Sequence, residues 1–132
     1  MKLVLLCAFV ALSNLTMAQF KLEIELNNLS SNEGEITLKL FDETQNQILI
    51  QTGTIENKKC TIIIDNLKSA KYAISYYHDE NSNGKLDKNF MGMPTEGYGF
   101  SNNAYSNFGP EPFENMLFEI KGNTKIELIT KN

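Results

Sequence analysis

Hydrophobic residues recur at every second position along most of this chain. Phe20, Leu22, Ile24 and Leu26 alternate with Lys21, Glu23, Glu25 and Asn27, the period of a strand with one buried and one wet face. After a turn cluster at 28–34, Ile36, Leu38 and Leu40 alternate with Thr37 and Lys39 and predict a second strand ending near Asp42. Residues 42–47 are polar and read as a loop. Residues 48–55 are rich in β-branched side chains but alternate less cleanly, and Glu56, Asn57 and Lys58 form a tight-turn signal. Cys60, Ile62 and Ile64 make the next inward face, with Ile63 opposite. Beyond a turn at 65–69, Tyr72, Ile74, Tyr76 and His78 share one face, and Ala73, Ser75 and Tyr77 the other. Strand character returns over 113–120, with room for a short turn at most over 112–116. Gly122 and Asn123 then signal a hairpin into a last strand through Ile126, Leu128 and Thr130.

About seven strands, short turns and one long excursion predict an all-β fold, an antiparallel β-sandwich of the Ig-like or prealbumin-like kind. A small barrel has similar strand statistics and is the runner-up. The excursion, 88–112, holds Gly92, Gly97, Gly99 and Gly109 with Pro94, Pro110 and Pro112, interleaved with Phe90, Tyr98, Phe100, Tyr105 and Phe108. Loops of that length inside a compact domain are uncommon and are usually functional or internally packed.

The alternation begins only after a different kind of segment. Lys2 precedes an uncharged apolar run over 3–12, and Thr16, Met17 and Ala18 end in a residue small enough for cleavage. The run is too short to span a bilayer, so 1–18 reads as a cleaved secretory signal and 19–132 as one exported domain, periplasmic or extracellular, with no transmembrane segment once the signal is removed. That domain has length for one core. The formal net charge of the whole chain is −4, and all of its 12 basic residues are lysine. Without arginine forks or a basic patch, nucleic acid is excluded as a partner. Past the signal only Cys60 remains, so no internal disulfide can form, and a small buried apolar residue is its expected role.

One stretch carries spacing with chemical meaning. Counting from Asp79, oxygen side chains fall at positions one (Asp79), three (Asn81), five (Asn83) and nine (Asp87), with Gly84 at six and Leu86 at eight. That is the order of a calcium loop, in which alternate side chains converge when the backbone curls around the ion and the carbonyl of Lys85 turns inward. Position twelve is Phe90 in place of the usual glutamate, and a strand leads in where a helix normally would. With two formal charges at ligand positions, affinity would be weak, on the order of 10⁻⁴ to 10⁻³ M. Glu96 is a candidate remote ligand whose placement the sequence leaves underived. The same Asp, Asn and Gly residues make tight turns with no metal present, and the residues alone leave both readings open.

From Tyr72, Ala73 and Ile74 through the 78–87 loop, then Asn89 to Pro94 and Glu96 to Asn103, the chain resembles a bacterial, typically exported family, domain-of-unknown-function family 2141. Gly109, Pro110 and Phe113 also fit. The resemblance implies an exported β-sandwich and carries no substrate or catalytic residue over. The strand running into an Asp-Asn-Gly loop is also similar, at fold level, to transthyretin-like and carboxypeptidase-regulatory-like sandwiches.

Three functions compete. The first is a non-catalytic exported module, binding or structural, stiffened by calcium, with a cell-envelope protein or a glycan as candidate partner. The second is a carbohydrate-binding module whose 98–108 loop offers Tyr98, Phe100, Tyr105 and Phe108 as ring faces and Asn102, Asn103 and Asn107 as amides, although such a loop can equally fold its rings into a satellite core, and the chain has no Trp. The third is a hydrolase built on His78, the sole histidine, with Asp79, Glu80, Asp87 and Glu96. No serine or cysteine is marked out as its nucleophile, and His78 shares a face with Tyr72, Ile74 and Tyr76, as a packed strand-end residue would. Cys60 and His78 alone cannot complete a zinc site.

Overall fold

The computed structural model describes residues 18–106 and 110–132. Apart from Ala18, the expected signal lies outside the described residues, as do Asn107, Phe108 and Gly109. Among the described residues eight strands run in order: β1 (Phe20–Asn27), β2 (Glu35–Asp42), β3 (Gln47–Gly53), β4 (Cys60–Leu67), β5 (Ala70–Asp79), β6 (Tyr98–Phe100), β7 (Phe118–Ile120) and β8 (Thr124–Ile129). They form two sheets, β4-β1-β8 and β3-β2-β5-β6, with β7 also pairing β5. The sandwich expected from the alternation is the fold found.

The core lies between the sheets and is made of the residues the alternation turned inward. Leu22, Ile24, Leu26, Cys60, Ile62, Ile64 and Leu128 on one sheet meet Ile36, Leu38, Leu40, Tyr72, Ile74 and Tyr76 on the other. Burying each large side chain stabilises by about 1.5–3 kcal/mol. Burial pushes the Cys60 thiol up to about 11, so it behaves as a packed apolar group. On the wet face of the first sheet, Lys125 bridges Glu23 and Glu25 at 3.5 and 3.8 Å, contacts too exposed to contribute much.

Two details differ from the sequence expectation. β1 and β8 pair in parallel, so the sandwich is not antiparallel throughout. Gly122 and Asn123 do turn the chain, but β7 joins β5 in one sheet and β8 joins β1 in the other, so the turn crosses between layers and closes no hairpin ladder. Asn123 Oδ1 accepts the Lys21 N–H at 2.9 Å, which ties that turn to β1.

β5 is longer than either strand beyond it. Its first half pairs β7 and its second half pairs β6. Between them Ser101, fully buried, fills the gap: its Oγ accepts the Ile74 N–H at 2.9 Å and donates to the Met116 carbonyl at 2.5 Å. The excursion over 88–112 therefore contains the edge strand β6 and a 3-10 turn at Ser101–Asn103, and a second 3-10 turn, Phe113–Met116, leads into β7. No helix among the described residues is long and apolar enough to cross a membrane.

Gly99 on β6 lets this edge close. A Cβ there would collide with the ring and hydroxyl of Tyr76, which is buried and reaches Thr130 Oγ1 at 3.1 Å. Gly99→Ala should cost about 1–3 kcal/mol, as overpacking does, read as a lower denaturant midpoint at unchanged slope. A midpoint equal to that of the parent would show that Tyr76 can yield.

Candidate functional site

The loop that follows β5 is built on a buried carboxylate. Asp79 ends the strand 1% exposed; its Oδ1 accepts the Asn83 N–H at 3.1 Å and its Oδ2 the Gly84 N–H at 2.8 Å. The chain can curl back this tightly because Ser82 and Gly84 adopt left-handed backbone, φ 54° and 79°. Asn81 Oδ1 accepts the Asn83 N–H at 3.3 Å, and Asn83 Oδ1 the Lys85 N–H at 3.1 Å, each an Asx turn. From outside, the Tyr77 hydroxyl donates to the Gly84 carbonyl at 3.1 Å.

Asp87 faces the centre of this curl. Asn81 Nδ2 donates to its Oδ2 at 2.5 Å and Asn83 Nδ2 to its Oδ1 at 2.6 Å. The Asn83 amide first, then that of Asn81, holds the Asp87 carboxyl below the usual carboxylate range. Asn81, Asn83 and Asp87 are thus brought to one point, with Asp79 beneath them as the anchor.

The sequence could not place Glu96; the structure puts it across the ends of the loop. Its Oε2 accepts the Glu80 N–H at 2.7 Å and its Oε1 the Asp87 N–H at 2.9 Å. The Thr95 N–H donates to the Asp87 carbonyl at 2.9 Å and closes the same junction. Glu96 is itself buried, so it holds the loop shut as a two-oxygen bridge between backbone donors. A carboxylate 16 residues from its partner leaves no periodic trace in a sequence, which is why spacing alone missed this role.

His78 is sealed in the core at 0% exposure. Its Nε2 lies 2.6 Å from the Glu33 carbonyl and its Nδ1 3.7 Å from Glu80 Oε1, a carboxylate that also receives the Ser30 hydroxyl. The ring has the packed strand-end position its face suggested.

The aromatic residues gather at one end of the sandwich. Tyr98 meets Phe100 and Tyr105 edge to face at 5.9 and 6.0 Å, and Phe100 tilts against Tyr105 at 6.1 Å. Burial pushes the Tyr105 hydroxyl up to about 12, while it donates to the Ile129 carbonyl at 2.6 Å. Asn102 Nδ2 donates to the Asn115 and Leu117 carbonyls at 3.1 and 2.9 Å, and Asn103 Oδ1 accepts the Ile129 N–H at 2.9 Å. Both amides staple the 3-10 turn to its neighbours.

The donor set of the loop is all oxygen, the choice of a hard cation. Among the described residues no group of three or more His, Cys, Asp and Glu side chains could hold a metal ion. A cation in the loop would therefore rest on amide and main-chain oxygen as much as on carboxylate.

A family model described as an uncharacterized protein conserved in bacteria (DUF2141) matches residues 24–127, from within β1 to within β8. Comparisons with curated proteins and with solved structures find no match.

Two outcomes follow for the loop. Glu96→Gln presents an NH₂ group to one of the two backbone donors and should cost about 1–3 kcal/mol, seen as a lower melting temperature and faster amide exchange at Glu80 and Asp87. Unchanged exchange would show that Glu96 does not hold the junction. Asp87 titrates below its unfolded value, so its contribution is present above about pH 4 and lost as pH falls through the lower folded value. Asp87→Asn should flatten the acid side of the stability–pH curve; an unaltered slope below pH 4 would contradict this.

Proposed function

The chain belongs to the DUF2141 family, and from that premise we propose that it is an exported, non-catalytic β-sandwich module whose 79–87 loop takes one calcium ion weakly. Export rests on the 1–18 pattern. The calcium reading rests on one observation above all, the meeting of Asn81 and Asn83 on both oxygens of Asp87. Each amide presents an N–H there while its Oδ1 holds an Asx turn, and a half-turn of its terminal bond presents an oxygen in exchange for that turn bond. Without a cation, amide hydrogens solvate the ionised Asp87 carboxylate. With a cation, the same two side chains offer Oδ1 atoms beside it, and the Lys85 carbonyl and Asp79 complete an oxygen cage.

The Glu96 bridge supports this reading because it holds the loop curled before any ion arrives, which reduces the ordering cost of binding. As a remote carboxylate it adds negative charge without having to leave its backbone donors. The carbohydrate reading has less to stand on: the rings meet edge to face where a sugar platform needs an open flat one, and the Asn102 and Asn103 amides are spent on backbone. A hydrolase has less still, since His78 is sealed and its Nε2 is held at the Glu33 carbonyl.

At 10 mM calcium, a site of 1 mM affinity stabilises by about 1.4 kcal/mol, worth roughly 6 °C in melting temperature. Melts in EDTA and then in calcium should differ by that amount. Asp87→Asn should remove the difference while leaving the Asp79 and Glu96 bonds in place. Identical melts of the parent protein in EDTA and in 10 mM calcium would refute the ion, leaving a loop that is a hydrogen-bonded turn.

A further inference from the structure

Between the turn over 88–94 and the aromatic cluster lies a cavity of about 510 Å³, within the range that takes drug-sized ligands. Its walls are thioether and ring, with Met91 and Met93 among the turn residues and Tyr98, Phe100 and Tyr105 from the cluster. Two features separate it from a filled satellite core.

The methionines are 68% and 59% exposed, where a completed cluster would cover them. This exposure is imposed by a firmly bonded turn. Asn89 Oδ1 accepts the N–H groups of Met91 and Met93 at 2.9 and 3.1 Å, the Gly92 N–H donates to the Asn89 carbonyl at 3.0 Å, and the Asn89 N–H donates to the Met93 carbonyl at 2.8 Å. Large apolar side chains held out in this way mark a contact surface, and methionine adapts to varied shapes.

The second feature is charge. Lys88 and Lys131 line the same cavity, and among the described residues neither takes part in the ion pairs that engage Lys59, Lys121 and Lys125. Lys131 Nζ stands 5.4 Å from the centre of the Tyr105 ring, at the apolar wall. Glu111 is the acid in the lining: its Oε1 accepts from the Asn115 amide at 3.1 Å and its Oε2 is buried with no hydrogen-bond partner among the described residues, so with the two lysines the wall keeps a net positive charge. In a chain with more acids than bases, two lysines without carboxylate partners beside an apolar hollow call for an anion attached to an apolar body.

We propose that this cavity binds an amphipathic carboxylate, its tail or ring against the methionines and aromatic residues and its carboxylate on Lys88 and Lys131. The site is independent of the calcium reading, although Leu86 and Lys88 continue the chain out of the 79–87 loop into its wall. Both lysines are held through the backbone, Lys131 by two bonds with Tyr98 and Lys88 by its bridge to Pro94, so their side chains can be changed while the frame stays.

The test is a titration of the ¹⁵N-labelled protein with decanoate in EDTA, which keeps any ion out of the loop. Decanol, acetate and maltohexaose are titrated in parallel. Decanoate should shift amide signals over 86–94, 98–105 and 131, and acetate should leave them in place. The double variant Lys88→Gln, Lys131→Gln should bind decanoate about tenfold more weakly or worse, the loss of a charge-assisted contact, at an unchanged melting temperature. Decanol binding as tightly as decanoate would overturn the charged head. Shifts confined to other apolar surface, such as exposed Ile48 and Ile50 on β3, would overturn the location. Binding of maltohexaose alone, or of none of the four, would overturn the proposal entirely.

Discussion

The ladder along β5 is the constraint on which this molecule depends. A ten-residue strand, buried on its core face and largely covered on the other, must have the backbone groups on both edges paired, because each orphan N–H or C=O in that setting costs on the order of 1–3 kcal/mol. β2 meets the requirement along one edge in unbroken register from Glu35 to Asp42. No single strand does so on the other. β6 covers Ser75 to Tyr77, β7 covers Ala70 to Tyr72, and the Ser101 hydroxyl takes the N–H of Ile74 between them. The long excursion after the 79–87 loop brings these pieces back to one edge.

The loop itself follows from where β5 stops. At Asp79 the strand leaves the core with a buried carboxylate, which must find donors, and it finds the N–H groups of Asn83 and Gly84 by bending the chain back over itself. Glu96, returning from the far side of the excursion, does the same for Glu80 and Asp87. Two acids thus spend their oxygens on main-chain donors, and a third, the half-buried Asp87, is left at the centre with the amides. Such a frame is preorganised whether amide hydrogens or a cation answer Asp87. The fold builds a hydrogen-bonded turn here, and an added ion is what tests the oxygen site proposed for it.

The aromatic end obeys a different rule. Tyr98, Phe100 and Tyr105 cover the edge where β6 meets the last residues of the chain, and Tyr98 exchanges two backbone bonds with Lys131. Their mutual edge-to-face packing removes them as a flat platform but leaves a hollow against the methionine turn. What looked along the chain like a row of ring faces becomes, once folded, one wall of a cavity whose other wall carries the methionines and whose charges are two lysines and Glu111.

The inward residues of β1, β2, β4 and β5 were legible because a strand between core and water writes its period directly into the chain, and the tight spacing from Asp79 to Asp87 was legible because local turns use local residues. Cys60 as a packed apolar group and the bend at Gly84 belong to the same class. Four features had no such trace: the parallel pairing of β1 with β8, the crossing at Gly122, the Ser101 bridge and the Glu96 clamp. Each joins residues far apart in sequence, and a serine or a glutamate looks the same whether it faces water or closes a ladder. The sequence by itself determined which faces are buried and where the chain can bend, since both are set by neighbours one to five residues away. Which strand lies beside which, and which distant carboxylate or hydroxyl completes a gap, was decided only by tertiary structure, because unpaired backbone groups in a closed core select their partners by position in space.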